Sequence, residues 1–388
     1  MHMAGTVDSA TLAAMTEFKV EVHDDRYEVE PILRGGGFLY DPQVVWDWCA
    51  DGSRSPWAGP EGSILISDIG GQRVPELDWN LGHGGLFRLH ADNTWETLVP
   101  HGSGMQAGFF RPTIAPEGWG DFGGHMFLCS QIVPHRRGAV FDHMVYRLAP
   151  GDDKPTAFAI PPRSGKTDGG ISGALVPGAF GRKGTPEEGL FLFFSMHNMT
   201  IYAARPDGSV EPYILMDGED GRPGPCMPYR VYYADPRLVG EENMLVVEGK
   251  WNSHFGGESG HVFRVASYRI AGRTVDPAPI EALGGGPGFR APAAFGPLAG
   301  DSFRPENNGF MSSINWTEGD AQVLPYTTEI IRRDSDGNEH VFASNIQAGQ
   351  NLIGFAGGRL IVTNMGHSYS SGNFKHPDGS VFAIRPRR

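Results

Sequence analysis

Short apolar runs alternate with turn residues along almost the whole chain. Six times, an apolar run ends in a Gly or Pro turn and is followed by a longer apolar run, such as ILISDI, LFLFFSMH or RLIVTNMG. Further runs, such as TIYAARPDG and GSVFAIRP, then begin or end at a turn. Runs rich in Val, Ile, Phe and Tyr that are bounded by Gly, Pro, Asp and Asn indicate β-strands and tight turns. The pattern predicts an all-β chain built from repeated small sheets.

The repeat has a regular period, and one place in it is polar. Four of the six first runs carry an arginine at this place, and the six places are Arg34, Arg111, Ser172, Arg230, Arg290 and Asn351. From Arg111 onward the steps between them are 61, 58, 60 and 61 residues. A period of this size that holds only strands and turns is typical of a radial array of four-stranded sheets. We therefore predict a six-bladed β-propeller whose arginines, the arginine ring, face a shared axis.

The N-terminal part of the chain is expected to complete the ring. The inner strand of the first blade is predicted over 32–40, and FKVEV at 18–22 is expected to supply the outer strand of the sixth blade. This pairing would remove exposed sheet edges. Residues 8–17 have a polar start and Ala, Leu and Met content, which predict a short helix. The predicted division is an N-terminal extension over 1–17 and a single propeller domain over 18–388.

Composition narrows the classes of partner and compartment. Gly (55) and Pro (30) are abundant, as in turn-dense all-β proteins, and the formal net charge is −13 with no Lys/Arg cluster. Nucleic acid is therefore not expected as a partner. Cys49, Cys129 and Cys226 lack metal-ligand spacing and are odd in number, which favours a reducing compartment. Neither a signal-peptide pattern nor a membrane-spanning apolar run is present, so we expect a cytoplasmic protein with no membrane partner.

Propeller geometry turns the repeat into a candidate site. The inner strand of a blade starts at the face to which the second strand returns, so residues at these two places converge. The first group is the arginine ring with Ser172 and Asn351. The second group lies at the ends of the second strands or just after them, and four blades have a histidine in this loop. Its members are Asp68, Gln131, His135, His197, Asn198, Glu248, Lys250, His254, Asn315, Trp316, Asn364 and His367.

These residue types suit an anionic ligand. The planar guanidinium of arginine binds carboxylate or phosphate oxygens, so the arginine ring predicts a small anionic organic substrate. Histidine titrates near neutral pH and can transfer protons or bind a metal, and Glu248 can act as a base or a ligand. A structural interpretation is also open, in which the arginines pair with carboxylates of neighbouring blades and Glu248 pairs with Lys250 or Arg230.

The succession of an inner strand, a DP or PEG turn, a second strand with a polar loop and a closing PDGSVFAI resembles a known superfamily. It is similar to the six-bladed propellers of the SMP-30/gluconolactonase and strictosidine-synthase-like superfamily, in architecture and over most of the chain. The resemblance implies lactone or ester hydrolysis with a divalent metal held by a Glu, two Asn and an Asp at inner-strand starts. Of the matching places in this chain, only Asn351 fits that ligand set. The gathered histidines are also similar to the four-histidine iron centre of carotenoid-cleaving oxygenases.

Three functional hypotheses follow. The first is a hydrolase of lactones or esters, or a lyase, that acts on a small carboxylate-bearing substrate, with His197, His254, His367 and Glu248 as catalytic residues. The second is an oxygenase-type enzyme whose iron, copper or zinc is bound by the same three histidines. The third is a non-catalytic propeller that binds a small ligand. A divalent or transition metal is thus a candidate cofactor, and the oligomeric state is open.

Overall fold

A computed structural model gives the fold and describes residues 20–33, 42–45, 56–68, 72–74, 79–81, 85–100, 112–129, 145–159, 175–195, 200–215, 226–233, 242–251, 259–264, 291–292, 298, 302–306, 327–334, 336–347, 351–364 and 380–388. These residues are almost entirely strands and turns, which confirms the predicted all-β class. One 3-10 turn, Gly120–Phe122, interrupts them. The helix predicted over 8–17 lies outside the described residues. None of the described segments is an apolar helix of membrane-spanning length.

The strands form six sheets that follow one another along the chain. Two strands come first, β1 (Glu21–Val22) and β2 (Tyr27–Leu33). The first sheet contains β3 (Pro42–Val45), β4 (Ile64–Asp68), β7 (Gly85–Leu89) and β8 (Trp95–Val99), with a hairpin of β5 (Gln72–Val74) and β6 (Trp79–Leu81) between β4 and β7. The second contains β9 (Thr113–Ile114), β10 (Met126–Cys129), β11 (Val145–Leu148) and β12 (Thr156–Ala159). The third contains β13 (Leu175–Phe180), β14 (Phe191–Ser195), β15 (Thr200–Ala204) and β16 (Val210–Leu215).

The remaining sheets follow the same antiparallel order. The fourth contains β17 (Cys226–Tyr233), β18 (Leu245–Trp251) and β19 (Ser259–Arg264). The fifth contains β20 (Ala291–Pro292), β21 (Ser302–Glu306), β22 (Thr327–Arg333) and β23 (Glu339–Gln347), with β1 added outside β23. The sixth contains β24 (Asn351–Ala356), β25 (Arg359–Asn364) and β26 (Ser380–Pro386), with β2 added outside β26.

The second strand of a sheet is buried on both faces, which explains its continuous apolar sequence. Successive side chains of a strand point to opposite faces. In β14, Phe191 and Phe193 accordingly pack in one cluster with the second sheet, whereas Leu192 and Phe194 pack in another with the fourth sheet. A strand covered on both sides has no solvent face, so it shows no polar alternation.

Neighbouring sheets share apolar clusters across their facing surfaces. Among the described residues such clusters join the first sheet to the second, the second to the third, the third to the fourth and the fifth to the sixth. A further cluster joins the sixth sheet back to the first, through Ile361 and Val381 on one side and Ile64 and Phe87 on the other. The core therefore lies between the sheets, and the last sheet packs against the first.

Two sequence-based assignments at the N-terminus are wrong by one strand. Ile32 and Leu33 belong to β2, the outer strand of the sixth sheet, whereas the inner strand of the first sheet is β3. Strand β1, which lies in FKVEV, pairs with β23 of the fifth sheet and not with the sixth. The physical reason is that β2 alternates Glu28 and Glu30 with apolar residues, which suits a half-exposed outer strand and not an inner strand buried on both faces. The N-terminal segment still adds the outer strand to the last sheet.

Candidate functional site

The predicted site lies at one end of each sheet, which we call the loop end. Here the second strand finishes and the third strand begins. Antiparallel pairing brings the start of the inner strand to the same place: Asn351 lies opposite Asn364 in the sixth sheet, and Pro42 lies opposite Asp68 in the first. In these two sheets the register thus brings the start of the inner strand next to the end of the second strand.

Buried polar side chains are concentrated at the loop end. Of the eight polar or charged residues that are buried in the described part of the chain, six lie there: Ser67, Asp68, Thr200, Thr363, Asn364 and Ser380. The other two, Glu187 and Arg359, lie at the opposite end of their sheets. Asn351, Asn364 and Ser380 form a row across three strands of the sixth sheet. Buried polar groups require hydrogen-bond partners, so the loop end is a polar part of the core.

Asp68 is the one residue of these six that carries a carboxylate, so its burial costs the most free energy. It ends β4 and is fully buried, 0% exposed. Removing a carboxylate from water costs several kcal/mol, on the order of the whole stability of a small domain, unless charges or hydrogen bonds compensate for it. By contrast, the equivalent end of β10 is apolar and finishes at Cys129, where burial raises the pKa of the thiol well above its usual range. The polar loop end is therefore a property of particular sheets and not of every strand end.

Three charged residues of the predicted site, Arg230, Glu248 and Lys250, lie in strands of the fourth sheet. Arg230 is in β17 and lies directly opposite Glu248 in β18, just after an irregularity in the strand register. Lys250 lies opposite Met227, further toward the loop end. Opposite charges at directly paired positions attract each other. In the backbone register, Arg230 is thus the residue directly opposite Glu248.

Most of the other predicted site residues lie outside the described part of the chain. These are Arg34, Arg111, Ser172 and Arg290 of the predicted substrate-binding group, and His197, His254 and His367 of the predicted catalytic and metal-binding group. Asn351 opens β24. The common convergence of the arginines and the metal centre of three histidines thus stay predictions.

The ligand set implied by the resemblance does not fit the observed inner-strand starts. The inner strands begin at Pro42, Thr113, Leu175, Cys226, Ala291 and Asn351. Only Asn351 belongs to the Glu, Asn and Asp set. Within the segments that the structure describes, no group of three or more His, Cys, Asp or Glu side chains is arranged to hold a metal ion.

Sequence reasoning passed over a buried carboxylate far from the loop end. Glu187, in the connection from β13 to β14, is buried and accepts a hydrogen bond of 2.8 Å from the hydroxyl of Tyr213. Nearby, the Tyr233 hydroxyl accepts a hydrogen bond from the Arg182 backbone N–H at 3.2 Å and lies 3.1 Å from the Thr185 hydroxyl. Burial raises the pKa of Tyr233. The sequence signal was weak, because Glu187 stands in a turn-like GTPEEG stretch typical of exposed loops.

Comparison with known proteins gives the fold family of the sheets. No protein-family model and no curated protein matches the chain. Among solved structures the chain is similar to an α-L-arabinanase from Penicillium chrysogenum in complex with arabinobiose, with 13% identity, coverage of 95% of this chain and 98% of that one, and a TM-score of 0.50. At this identity the likeness shows the fold alone, which is a β-propeller.

Two further matches have lower TM-scores. They are a virginiamycin B lyase from Staphylococcus aureus (11% identity, 93% of this chain and 100% of that one, TM-score 0.48) and a putative gluconolactonase (11% identity, 94% of each chain, TM-score 0.47). The second of these matches carries the name of the family that the sequence pattern resembles.

Proposed function

We propose that the protein is an enzyme of hydrolase or lyase type that acts on a small carboxylate-bearing organic molecule at the loop end of a six-bladed propeller. The observation that carries the proposal is the concentration of buried polar side chains at that end. A stable core contains few such groups, and proteins keep them mainly where function requires them. The polar residues of the first and sixth sheets would form the floor of the site.

Arg230 and the other arginines of the predicted ring would bind the carboxylate of the substrate. A guanidinium holds a carboxylate through two parallel charge-assisted hydrogen bonds. Glu248, opposite Arg230 in the next strand, would orient the guanidinium in the absence of substrate. Arg111 and Arg290 would add positive charge around the same axis. Arg34 no longer belongs to this group, because it follows β2, the outer strand of the sixth sheet, and the inner strand of the first sheet is β3.

The histidines would supply the chemistry. His197 and His254 each follow a second strand, and His367 follows β25 after two residues. At neutral pH an imidazole can remove a proton from an attacking water in a hydrolase, or from a carbon next to a carboxylate in a lyase. No step of this proposal passes through a metal ion.

The central test is the substitution Arg230→Met, which keeps most of the side-chain length and removes the charge. Binding of small carboxylic acids, measured by calorimetry, is expected to weaken by roughly tenfold or more, since a hydrogen bond to a charged group contributes about 1.5–3 kcal/mol. The corresponding methyl esters or amides should bind with nearly unchanged affinity. A panel of hydroxy acids, aromatic acids and lactones provides the ligands.

Arg205→Met is the matched control. Arg205 donates to Glu211 at 2.6 Å in an exposed pair on the outer turn of the third sheet. This variant loses the same charge far from the loop end and should bind acids as the parent does. Equal losses of acidic and neutral ligands in Arg230→Met, or equal losses of acids in both variants, would reject the anion site.

A second pair of variants tests the polar residues that would form the floor of the site. Asp68→Asn and Glu187→Gln each neutralise a buried carboxylate, one at the loop end and one at the opposite end. Both variants should be less stable, but only Asp68→Asn should change ligand affinity or its pH profile, measured well below the unfolding temperature. Unchanged affinity in Asp68→Asn would assign this residue to the core alone.

A further inference from the structure

The N-terminal segment 20–33, which we call the strap, is paired with two different sheets. Strand β1 pairs with β23, with Glu21 opposite Ser344 and Val22 opposite Ala343. Strand β2 pairs with β26 along its whole length, from Tyr27 opposite Pro386 to Leu33 opposite Val381. The strap therefore supplies the outermost strand of both the fifth and the sixth sheet.

Apolar side chains hold the strap on both sides of the sixth sheet. Tyr27 is buried and packs edge-on against Phe342, with 5.6 Å between ring centroids. Val29 packs against the same cluster, between the fifth and sixth sheets. Ile32 and Leu33 pack against the cluster that joins the sixth sheet to the first. The strap thus touches both surfaces through which the sixth sheet contacts its neighbours.

A charged network connects the strap to the first sheet. Glu30 of β2 lies 3.5 Å from Nη1 of Arg359 and accepts a hydrogen bond of 3.3 Å from Asn93 Nδ2. The same Arg359 Nη1 donates to Asn93 Oδ1 at 2.7 Å, across the contact between the sixth and first sheets. Arg385 of β26 lies 3.6 Å from Glu30 and 3.0 Å from Glu28. Glu30 therefore links the strap both to the sixth sheet and to the first sheet.

We propose that the strap is a releasable clasp, which detaches as a unit before the rest of the fold opens, and that Glu30 with Arg359 forms its lock. The strap is held at the outer edges of two sheets by non-covalent contacts, and proteins open locally through such peripheral units at lower free energy than through their cores. Detachment would uncover the edges of β23 and β26 and separate Glu30 from both arginines. It would leave the interior sheets intact.

Hydrogen exchange followed by mass spectrometry at low urea tests the clasp in the full chain. In the parent protein, amides of 27–33 and 380–386 should exchange together and faster than those of 200–215. Glu30→Gln should raise exchange in the first two segments roughly five- to tenfold, because it removes the charge from two partly buried ion pairs. Exchange of 200–215 should stay unchanged.

Glu211→Gln is the matched control, since it breaks an exposed pair with Arg205 at 2.6 Å and should leave the strap unaffected. Arg359→Met should also raise exchange in the strap. Adding Glu30→Gln to it should raise exchange by less than Glu30→Gln does alone, because both changes remove the Glu30–Arg359 pair and only the Glu30–Arg385 pair is left to lose. A uniform rise over all segments, no rise in either strap variant, or full additivity of the two changes would overturn the proposal.

Discussion

Two contacts between sheets use different chemistry. The aromatic seam, between the second and third sheets, is built around Trp119, whose ring centroid is 5.1 Å from those of Phe127 and Phe180. The closing seam, between the sixth and first sheets, combines a mostly aliphatic cluster that includes Phe87 with a close approach of two glycines and the Arg359 network. Both seams bury apolar side chains, but the first is centred on aromatic rings and the second adds a glycine contact and a charged network.

The two seams also differ in how far apart along the chain their contacting residues lie. In the aromatic seam, the Trp119 indole donates to the carbonyl of Gly189 at 3.1 Å, a separation of 70 residues, and Trp57 makes the same kind of bond to Gly124 between the first and second sheets. In the closing seam, Arg359 and Asn93 are 266 residues apart. Large aromatic rings tolerate small changes in orientation, whereas a charged network and a glycine contact require one arrangement. The closing seam therefore specifies how the ring closes.

The largest expected effect is on the aromatic seam. Trp119→Ala should lower the free energy of unfolding by about 3–5 kcal/mol, since it removes a buried indole and leaves a cavity among phenylalanines. Urea unfolding monitored by circular dichroism measures the loss. Trp119→Phe keeps a ring and loses the bond to Gly189, so its loss should be clearly smaller. Equal losses would mean that the hydrogen bond, and not the buried area, holds this seam.

The closing seam can be disturbed by a single methyl group. Gly357 has φ +59° and a Cβ there would lie 3.2 Å from the Gly62 Cα, whereas a Cβ on Gly358, at φ +71°, would meet nothing within 4 Å. Both alanine variants pay the left-handed backbone cost of about 1–2 kcal/mol. Gly357→Ala should lose on the order of 1 kcal/mol more, because the sixth and first sheets must separate slightly. Thermal unfolding of the two alanine variants measures this difference in stability. Equal losses of stability would show that the two sheets can move apart at no cost.

Much of the fold could be predicted from the sequence, because a strand that is buried on both faces has a continuous apolar sequence. ILISD, FLFFS and RLIVTN are second strands as expected. The PDG turn at 206–208 is also a tight turn, with Asp207 accepting from the Ser209 backbone at 2.9 Å and hydroxyl at 2.6 Å. The failures lie at the N-terminus, where the apolar residues of β2 alternate with glutamates and an outer strand resembles an inner one.

The candidate site was less accessible to sequence reasoning. Periodicity places Arg230 and Asn351 in the inner strands of the fourth and sixth sheets, but it cannot say which residue lies opposite. The pairing of Arg230 with Glu248 depends on a register irregularity after Pro228, which no local pattern announces. Burial of Asp68 likewise depends on how the first and sixth sheets pack, and a carboxylate at a strand end is usually exposed.

The smallest expected effect is a pH dependence confined to the aromatic seam. His125 lies beside Phe122, with 5.7 Å between ring centroids, and burial, followed by the positive charge of Arg147, lowers its pKa below the usual 6.5. The unfolded chain therefore binds a proton at a higher pH than the folded protein. Stability contributed by neutral His125 is present above about pH 6.5 and is lost as the pH falls toward the folded pKa.

His125→Asn should therefore flatten the decline in stability between about pH 7.5 and 5, measured by urea unfolding at several pH values. Gly357→Ala disturbs the closing seam without adding or removing a titratable group, so it should lower the whole curve without changing its slope there. If His125→Asn leaves the slope unchanged, or if Gly357→Ala changes it, the pH dependence does not come from the aromatic seam, and this difference between the two seams fails.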